Sequence, residues 1–325
     1  MKNHRIFRYA AIAAVTCLTL SITSCKKEGC TDETASNFDS NSKENDGSCI
    51  YPVLATPATP TSIANPGDTD DTTNPDVTKA NTTGLKLIGS ATSEDAKARL
   101  ELYIKEDLYP GMNMLYIAAY DSETNELIKS GQATFIPMMK MNSGMDHGAP
   151  VLNDTEGGAN SNGLFHGEVF FVMPSTAGKW MLKTEFKNSI RNTEGEVSFD
   201  VTVTQNDNRM MVSFKDTTTA DSTAIFLSYA ISENPKVGSN ELKIVAFYRN
   251  SMMDWPAADD LNIDFEPFMP SMGHGSPNNE DPIFTLNGTY IGNVNYSMTG
   301  KWQLDLTIKR GAKILNDKLF FEYTL

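Results

Sequence analysis

A short pattern of residues occurs twice in the chain, and it constrains the fold more than any other feature. Each copy combines Phe-x-Pro-x-Met with Met-x-His-Gly-x-Pro, first at Phe135–Pro150 (loop one) and again at Phe265–Pro277 (loop two). In both cases a run of apolar residues precedes the pattern, and a Gly-Lys-Trp triplet follows it, at Gly178–Trp180 and at Gly300–Trp302. Repetition on this scale predicts two related structural units in tandem.

The alternation of apolar and polar residues predicts that both units are built from β-strands. Leu100–Ile104, Val197–Val203 and Leu304–Ile308 alternate in this way, which is the pattern of half-buried strands. No segment shows a long helical period. We therefore predict an all-β fold with two tandem antiparallel β-sandwiches of immunoglobulin-like architecture, at residues 84–206 and 207–325, each of a size usual for one core.

The first 24 residues have the composition of a secretory signal peptide. Basic residues precede an apolar stretch, Tyr9–Leu20, that is too short to span a membrane. The segment Ile22–Cys25 resembles the lipobox of bacterial lipoproteins, which implies that Cys25 becomes a lipidated N-terminus and anchors the chain to a membrane. The alternative is ordinary cleavage near Ser24. Charged residues directly after Cys25 resemble the surface-export signals of Bacteroidetes lipoproteins, so we expect an outer-membrane lipoprotein, on the periplasmic face or at the cell surface.

Residues 25–52 contain the two cysteines left after the signal peptide and Cys25. Cys30 and Cys49 form an even pair in an exported chain, which predicts a disulfide. The segment between them resembles a small module common in Bacteroidetes surface proteins, with Cys-x-Asp, Ala-x-Asn-aromatic and Asp-Gly-Ser-Cys. Its oxygen-bearing side chains are a candidate calcium site, and a solvated acidic loop is the alternative. The candidate calcium ligands are Asp32, Asn37, Asp39, Asn41 and Asp46.

The remaining composition excludes several classes of protein. Residues 53–83 are rich in Pro, Thr, Asp and Asn and poor in large apolar residues, which predicts a disordered tether. The net charge of −14 argues against nucleic-acid binding, which needs basic surfaces. The chain has no nucleophile elbow and no Gly-rich phosphate loop, so we predict that it is not an enzyme.

Methionine and histidine recur in the two loops, and this points to a soft metal ion. Thioether sulfur and imidazole nitrogen suit Cu(I), and two of only four histidines occupy equivalent places in the loops. The alternative is that the methionines only fill space, because methionine adapts well to irregular packing. The predicted ligands are Met139, Met141, Met145 and His147 in loop one and Met269, Met272 and His274 in loop two.

Other residues have secondary roles in this interpretation. His166 is a further candidate ligand, and Met253, Trp255 or a water is expected to complete the coordination of loop two. Core packing is expected instead for the remaining methionines near these segments and for the tryptophans of the two Gly-Lys-Trp triplets. These core candidates are Met112, Met114, Met138, Met173, Met181, Trp180 and Trp302.

The order of strand, Met/His loop, strands and Gly-Lys-Trp resembles the YtkA-like and FixH-like domains. These are exported or membrane-tethered β-sandwiches associated with copper handling, and the resemblance covers both units. It implies a copper-binding lipoprotein that captures, buffers or delivers copper, with an outer-membrane or copper-handling protein as its partner. The alternative is a non-catalytic structural or interaction subunit of an outer-membrane or cell-surface assembly, in which the methionine-rich loops are contact surfaces.

Overall fold

A computed structural model describes residues 31, 40–43, 79–154, 157–218, 222–230, 232 and 234–325. The chain divides into two compact units, Met1–Thr72 and Thr73–Leu325, and every described strand lies in the second. Several predictions fall on residues outside the described ranges. These are the signal peptide, the lipidation of Cys25, the disulfide between Cys30 and Cys49, most of the tether, and the calcium candidates Asp32, Asn37, Asp39 and Asp46.

The described residues of the second unit form an antiparallel all-β structure, which confirms the predicted fold class. Within the described part of the chain, no helix has the length and apolarity needed to cross a lipid bilayer. The strands are β1 (Lys86–Ser93), β2 (Ala98–Ile104), β3 (Gly111–Asp121), β4 (Leu127–Ile128), β5 (Gly131–Met141), β6 (Asp146–Gly148), β7 (Val151–Asn153), β8 (Phe165–Phe171), β9 (Gly178–Asn188), β10 (Thr193–Val201), β11 (Met211–Lys215), β12 (Ala224–Ala230), β13 (Gly238–Arg249), β14 (Asn262–Met269), β15 (His274–Gly275), β16 (Glu280–Leu286), β17 (Thr289–Tyr296), β18 (Lys301–Arg310) and β19 (Lys313–Thr324).

Strands β1 to β10 form the first sandwich. One sheet has the order β1-β2-β3-β8-β7, with β4 paired to β3, and the facing sheet has the order β10-β9-β5-β6. Apolar residues on alternate positions of each strand fill the space between the sheets, because successive side chains of a strand point to opposite faces. On β9, for example, Trp180, Leu182 and Phe186 are buried in this core.

Strands β11 to β19 form the second sandwich with the same strand order. Its sheets are β11-β12-β13-β17-β16 and β15-β14-β18-β19. Trp302, Tyr290, Tyr296 and Phe321 are fully buried in a separate core. Loop one comprises the end of β5, the turn after it and β6, and loop two comprises the end of β14, the turn after it and β15. The two Met/His segments therefore occupy equivalent positions in the two sandwiches.

The segment between the sandwiches is hydrogen-bonded to both of them. The Thr204 amide donates to the carbonyl of Leu108 at 2.7 Å in the first sandwich, and Arg209 and Glu322 exchange two backbone hydrogen bonds in the second. The last residues of the predicted tether are also bound, because the Asn81 amide donates to the carbonyl of Asn162 at 2.8 Å. The prediction of disorder up to residue 83 is therefore wrong for these residues, whose polar groups pair locally with the first sandwich.

Side chains from both sandwiches meet in a small interface. Phe170 packs on Phe247 with ring centroids 4.9 Å apart, and Lys243 pairs with Glu168 at 2.6 Å. The hydroxyl of Ser228 accepts a hydrogen bond from the Met112 amide at 3.0 Å. Apolar, ionic and hydrogen-bonding contacts therefore hold the two sandwiches together.

The ion pair between Asp121 and Arg191 joins the two sheets of the first sandwich and should make its stability depend on pH. Asp121 accepts bonds from Arg191 Nε at 2.7 Å and Nη2 at 2.9 Å, and from the amides of Glu123 and Thr124. The guanidinium, and to a lesser extent these amides, hold the pKa of Asp121 well below its usual range. The stabilisation is therefore present above about pH 4, the usual aspartate pKa, and is lost as the pH falls.

We expect Arg191→Met to reduce the difference in unfolding free energy between pH 7 and pH 3, as measured by urea denaturation. Lys179→Met is the control, because the pair of Lys179 with Asp200 is solvent-exposed and such pairs contribute little. An unchanged pH dependence in Arg191→Met would show that Asp121 is not the responsible carboxylate.

Candidate metal centre

Loop one is a β-hairpin that places its four predicted ligands on one face. Met139 and His147 lie directly opposite each other on β5 and β6, and the Met141 amide donates to the carbonyl of Met145 at 2.9 Å. Opposed residues of an antiparallel pair share a face, as do residues two apart on one strand. Burial falls along this face, from Met139 (0% exposed) and His147 (2%) in the core to Met145 (50%) at the tip.

The ring of His147 is fixed so that Nε2 points at a sulfur atom. Its Nδ1 lies 2.7 Å from the carbonyl oxygen of Gly148, and only a protonated Nδ1 can donate there. In the neutral ring, Nε2 then carries a lone pair, and it lies 3.4 Å from Sδ of Met173. Two electron-pair donors therefore face each other in a site where His147 is 2% exposed, an arrangement that a bound cation would satisfy.

The types of these two atoms, and the partner of the histidine's other nitrogen, suit a soft metal ion. The 3.4 Å separation of Nε2 and Sδ is a close contact, and imidazole nitrogen and thioether sulfur are the donor types that a soft metal ion would take. A carbonyl acceptor at Nδ1 is also the usual partner that orients a metal-binding histidine through Nε2.

Trp180 positions both Met173 and His147. Its indole Nε1–H donates to the carbonyl of Met173 at 3.0 Å, and its ring packs edge-on against His147 with centroids 5.1 Å apart. Met139 lies opposite Trp180 in the strand register. Trp180 itself is fully buried, as the sequence predicted. Met173 packs against the core as expected, but its contact with His147 was not predicted.

Loop two repeats this arrangement with a more open histidine. Met269 lies opposite His274, and Nδ1 of His274 is 2.8 Å from the carbonyl oxygen of Gly275. The Trp302 indole donates to the carbonyl of Met298 at 3.0 Å, as Trp180 does to Met173. Met272, at the tip of the loop, is 59% exposed. Met298, which is 37% exposed, is therefore equivalent to Met173 in this backbone hydrogen bond, and the repeated motif did not predict it.

A sequence signal for both missed residues exists. Each copy of the repeat has a methionine a few residues before its Gly-Lys-Trp triplet, at Met173 and at Met298. The tryptophan of the triplet binds the backbone of that methionine in both sandwiches. The pattern is therefore longer than the Met/His loop itself.

The structure does not bring His166 into this cluster. His166 lies near the start of β8, whereas Met173 lies just past the other end of this strand, which is about 17 Å away at about 3.3 Å per residue. Nδ1 of His166 is 3.8 Å from a carboxylate oxygen of Asp154. Within the described ranges, no group of three or more His, Cys, Asp or Glu side chains is arranged to hold a metal ion.

Met253 lies at loop one, so the prediction that it completes loop two is wrong. Its Sδ is 3.8 Å from the position that a Cβ of Gly148 would occupy. The reason is that the segment before β14 docks on the edge of β6, where the Gly148 amide donates to the carbonyl of Met252 at 2.8 Å. Trp255 supports this segment: its Nε1–H donates to the same carbonyl at 3.3 Å, and its ring packs on Phe226.

One family model matches part of the chain. The family model described as YtkA-like matches residues 217–307, which span loop two and most of the second sandwich. The resemblance to YtkA-like domains is confirmed over these residues. No curated protein matches the chain.

Solved structures similar to the chain include two bacterial surface proteins. The adhesin InvE of Yersinia pseudotuberculosis is 10% identical over 78% of this chain and 61% of its own, with a TM-score of 0.21. Domains 5–6 of the S-layer protein SbsC are 14% identical over 73% of this chain and 97% of their own, with a TM-score of 0.24. The chain thus spans about three fifths of the adhesin's length, and a likeness this low says nothing about function.

Proposed function

We propose that the chain is an exported, membrane-anchored lipoprotein that binds copper through loop one and loop two and captures, buffers or delivers it. The observation that carries this proposal is the pair of electron donors formed by His147 Nε2 and Met173 Sδ, 3.4 Å apart, with His147 buried and Met173 partly buried. The YtkA-like match over residues 217–307 is consistent with a copper-related role.

The available ligands suit Cu(I) more than harder ions. In loop one, His147, Met173 and Met139 would hold the ion, with Met141 and Met145 nearer the surface; in loop two the equivalents are His274, Met298, Met269 and Met272. Thioether sulfur binds without losing a proton and prefers soft metals. Neither loop contains cysteine, which avoids disulfide formation in an oxidising compartment.

The exposed tips of the loops support transfer rather than permanent storage. Met145 is 50% exposed and Met272 is 59% exposed, so a partner can reach a sulfur atom of each site. Within this proposal the partner is an outer-membrane or copper-handling protein, and the anchor is the lipid on Cys25. The protein has no catalytic activity in this proposal, and calcium binding belongs to the segment between Cys30 and Cys49.

Replacing the histidine and tip methionine of both loops should abolish copper retention at these two loops. The parent protein and a variant with Met145→Leu, His147→Ala, Met272→Leu and His274→Ala are loaded with Cu(I) under reducing conditions and dialysed against a weak chelator. We expect the variant to retain two copper ions per chain fewer than the parent, because neither loop then has an imidazole. A variant with Met114→Leu and His166→Ala, outside the loops, is the control. Equal retention by the parent and the four-site variant would refute the proposal.

An exposed strand favours the alternative function as an interaction subunit. On β16, at the edge of its sheet, Ile283 is 71% exposed, Phe284 42% and Leu286 61%. An apolar edge strand of this kind can pair with a strand of another protein. This alternative predicts a stoichiometric complex in native membranes that survives both chelation and the four-site substitution, whereas Ile283→Lys with Leu286→Lys disrupts it.

A further inference from the structure

Two methionines expected in the core lie instead on the outer face of the first sandwich. Met138 and Met181 are directly opposite each other on β5 and β9, and Met181 is 37% exposed. The neighbouring residues Met139 and Trp180 take the core positions, and the alternation of a strand then turns Met138 and Met181 outward. The prediction that this pair packs in the core is therefore wrong.

A third methionine reaches the same outer face from the second sandwich. β5 lies between β9 and β6, and Met138 is paired with Gly148 on β6. The Cβ position of Gly148 is therefore on the same face of the sheet as Met138. The Met253 side chain covers this position, with Cε at 3.6 Å and Sδ at 3.8 Å. A Cβ at position 148 would therefore be in van der Waals contact with the Met253 side chain.

The backbone of the Met253 segment is fastened at this place. Gly148 donates its amide proton to the carbonyl of Met252 at 2.8 Å, and the Trp255 indole donates to that carbonyl as well. Met253 is therefore held over the hairpin by contacts that do not involve its own side chain. It is also 53% exposed, so its sulfur is accessible from solvent.

We propose that Met138, Met181 and Met253 form a thioether site for a soft monovalent ion, Cu(I) or Ag(I), on the face of the hairpin opposite to His147. Side chains opposed across neighbouring strands have Cβ atoms about 5 Å apart, and the three flexible bonds of methionine let such sulfurs converge. Thioethers select soft ions. On β10, Asp200 lies directly opposite Met181 of β9, and its carboxylate is paired with Lys179 at 2.7 Å.

This outer thioether site differs from the sites of loop one and loop two in two testable ways. It contains no imidazole, so its occupancy does not depend on histidine protonation and persists at pH 5. It also needs Met253 from the second sandwich, whereas the ligands of loop one all come from the first sandwich. It does not depend on copper binding by His147 or His274, so either proposal can fail without the other.

The test counts Ag(I) ions bound by the full chain in equilibrium dialysis at pH 5 and pH 7. The starting variant carries His147→Ala and His274→Ala, which removes the imidazoles of both loops. Adding Met138→Leu, Met181→Leu and Met253→Leu is expected to lower the count by one ion per chain at both pH values, and Met253→Leu alone should have the same effect. The control adds Met112→Leu, Met114→Leu and Met211→Leu instead and should leave the count unchanged.

Methyl-labelled methionine spectra locate the bound ion. In the starting variant, the methyl signals of Met138, Met181 and Met253 are expected to shift together as Ag(I) is added, because one ion contacts all three sulfurs. An ion count that is the same with and without the three leucines would overturn the outer site. The outer site would also be overturned if Met253→Leu alone left the ion count unchanged while the triple substitution lowered it by one.

Discussion

Trp180→Ala is expected to destabilise the first sandwich by about 4 kcal/mol, within the range for removing a buried tryptophan. Trp180 is fully buried, and its ring contacts both His147 and Phe171 with centroids 5.1 Å and 5.0 Å away. The substitution also releases the carbonyl of Met173, so the pairing of Met173 with His147 should be lost. We therefore expect both stability and Cu(I) binding at loop one to fall.

Trp180→Phe separates these two effects. Phenylalanine retains most of the apolar surface but has no N–H group, so the Met173 carbonyl loses its hydrogen bond, at a cost of about 1–2 kcal/mol. Urea denaturation gives the stability, and competition with a chelator gives the affinity for Cu(I). Trp255→Phe is the control, because Trp255 supports the Met252 carbonyl rather than Met173. If Trp180→Phe bound Cu(I) as tightly as the parent, Trp180 would have no positioning role.

Arg310→Met is expected to destabilise the second sandwich by about 3 kcal/mol, because it leaves a buried carboxylate without its cation. The Asp216 side chain is 1% exposed and pairs with Arg310. Arg310 also donates to Asp260 and to the hydroxyl of Tyr248, both at 2.8 Å. One guanidinium group thus joins the start of the second sandwich to β18 and to the segment before β14.

The stability lost in Arg310→Met should depend on pH. Burial by itself raises the pKa of Asp216, but hydrogen bonds from Thr218 and Arg310 outweigh it and lower the pKa overall. In the parent this contribution is present above about pH 4 and disappears as the pH falls. Urea denaturation at pH 7 should therefore show a larger difference between parent and variant than at pH 3. Lys301→Met, which removes a more exposed pair with Glu322, should show little effect at either pH.

The fold was largely predictable because alternation is a local property. Every strand needs one apolar face, and the repeated pattern of β9 and β18 around Trp180 and Trp302 marks that face in the sequence itself. The predicted strands at Leu100–Ile104 and Leu304–Ile308 are found within β2 and β18. The turn residues between strands were equally visible, since Gly144 and Gly273 have the positive φ angles that loop one and loop two need.

The candidate site was only partly predictable because its residues come from separate segments. Met139 and His147 are close in sequence and were found, but Met173 meets them through the pairing of β5 with β9 and the bond from Trp180. Met253 was assigned to loop two because it precedes loop two in the chain. Its actual position at Gly148 follows from how the two sandwiches dock, and no local pattern in the sequence encodes that contact.

The short linker between the sandwiches keeps their interface closed even where its contacts are weak. Only Gln205–Asn208 separate the bond of Thr204 to the first sandwich from the bond of Arg209 to the second. Four extended residues span at most about 14 Å, so an opened interface stays within a small volume and closes again as an intramolecular step. Short linkers give effective concentrations in the millimolar range. Met253 therefore returns to Gly148 without diffusing away, whatever the concentration of the protein.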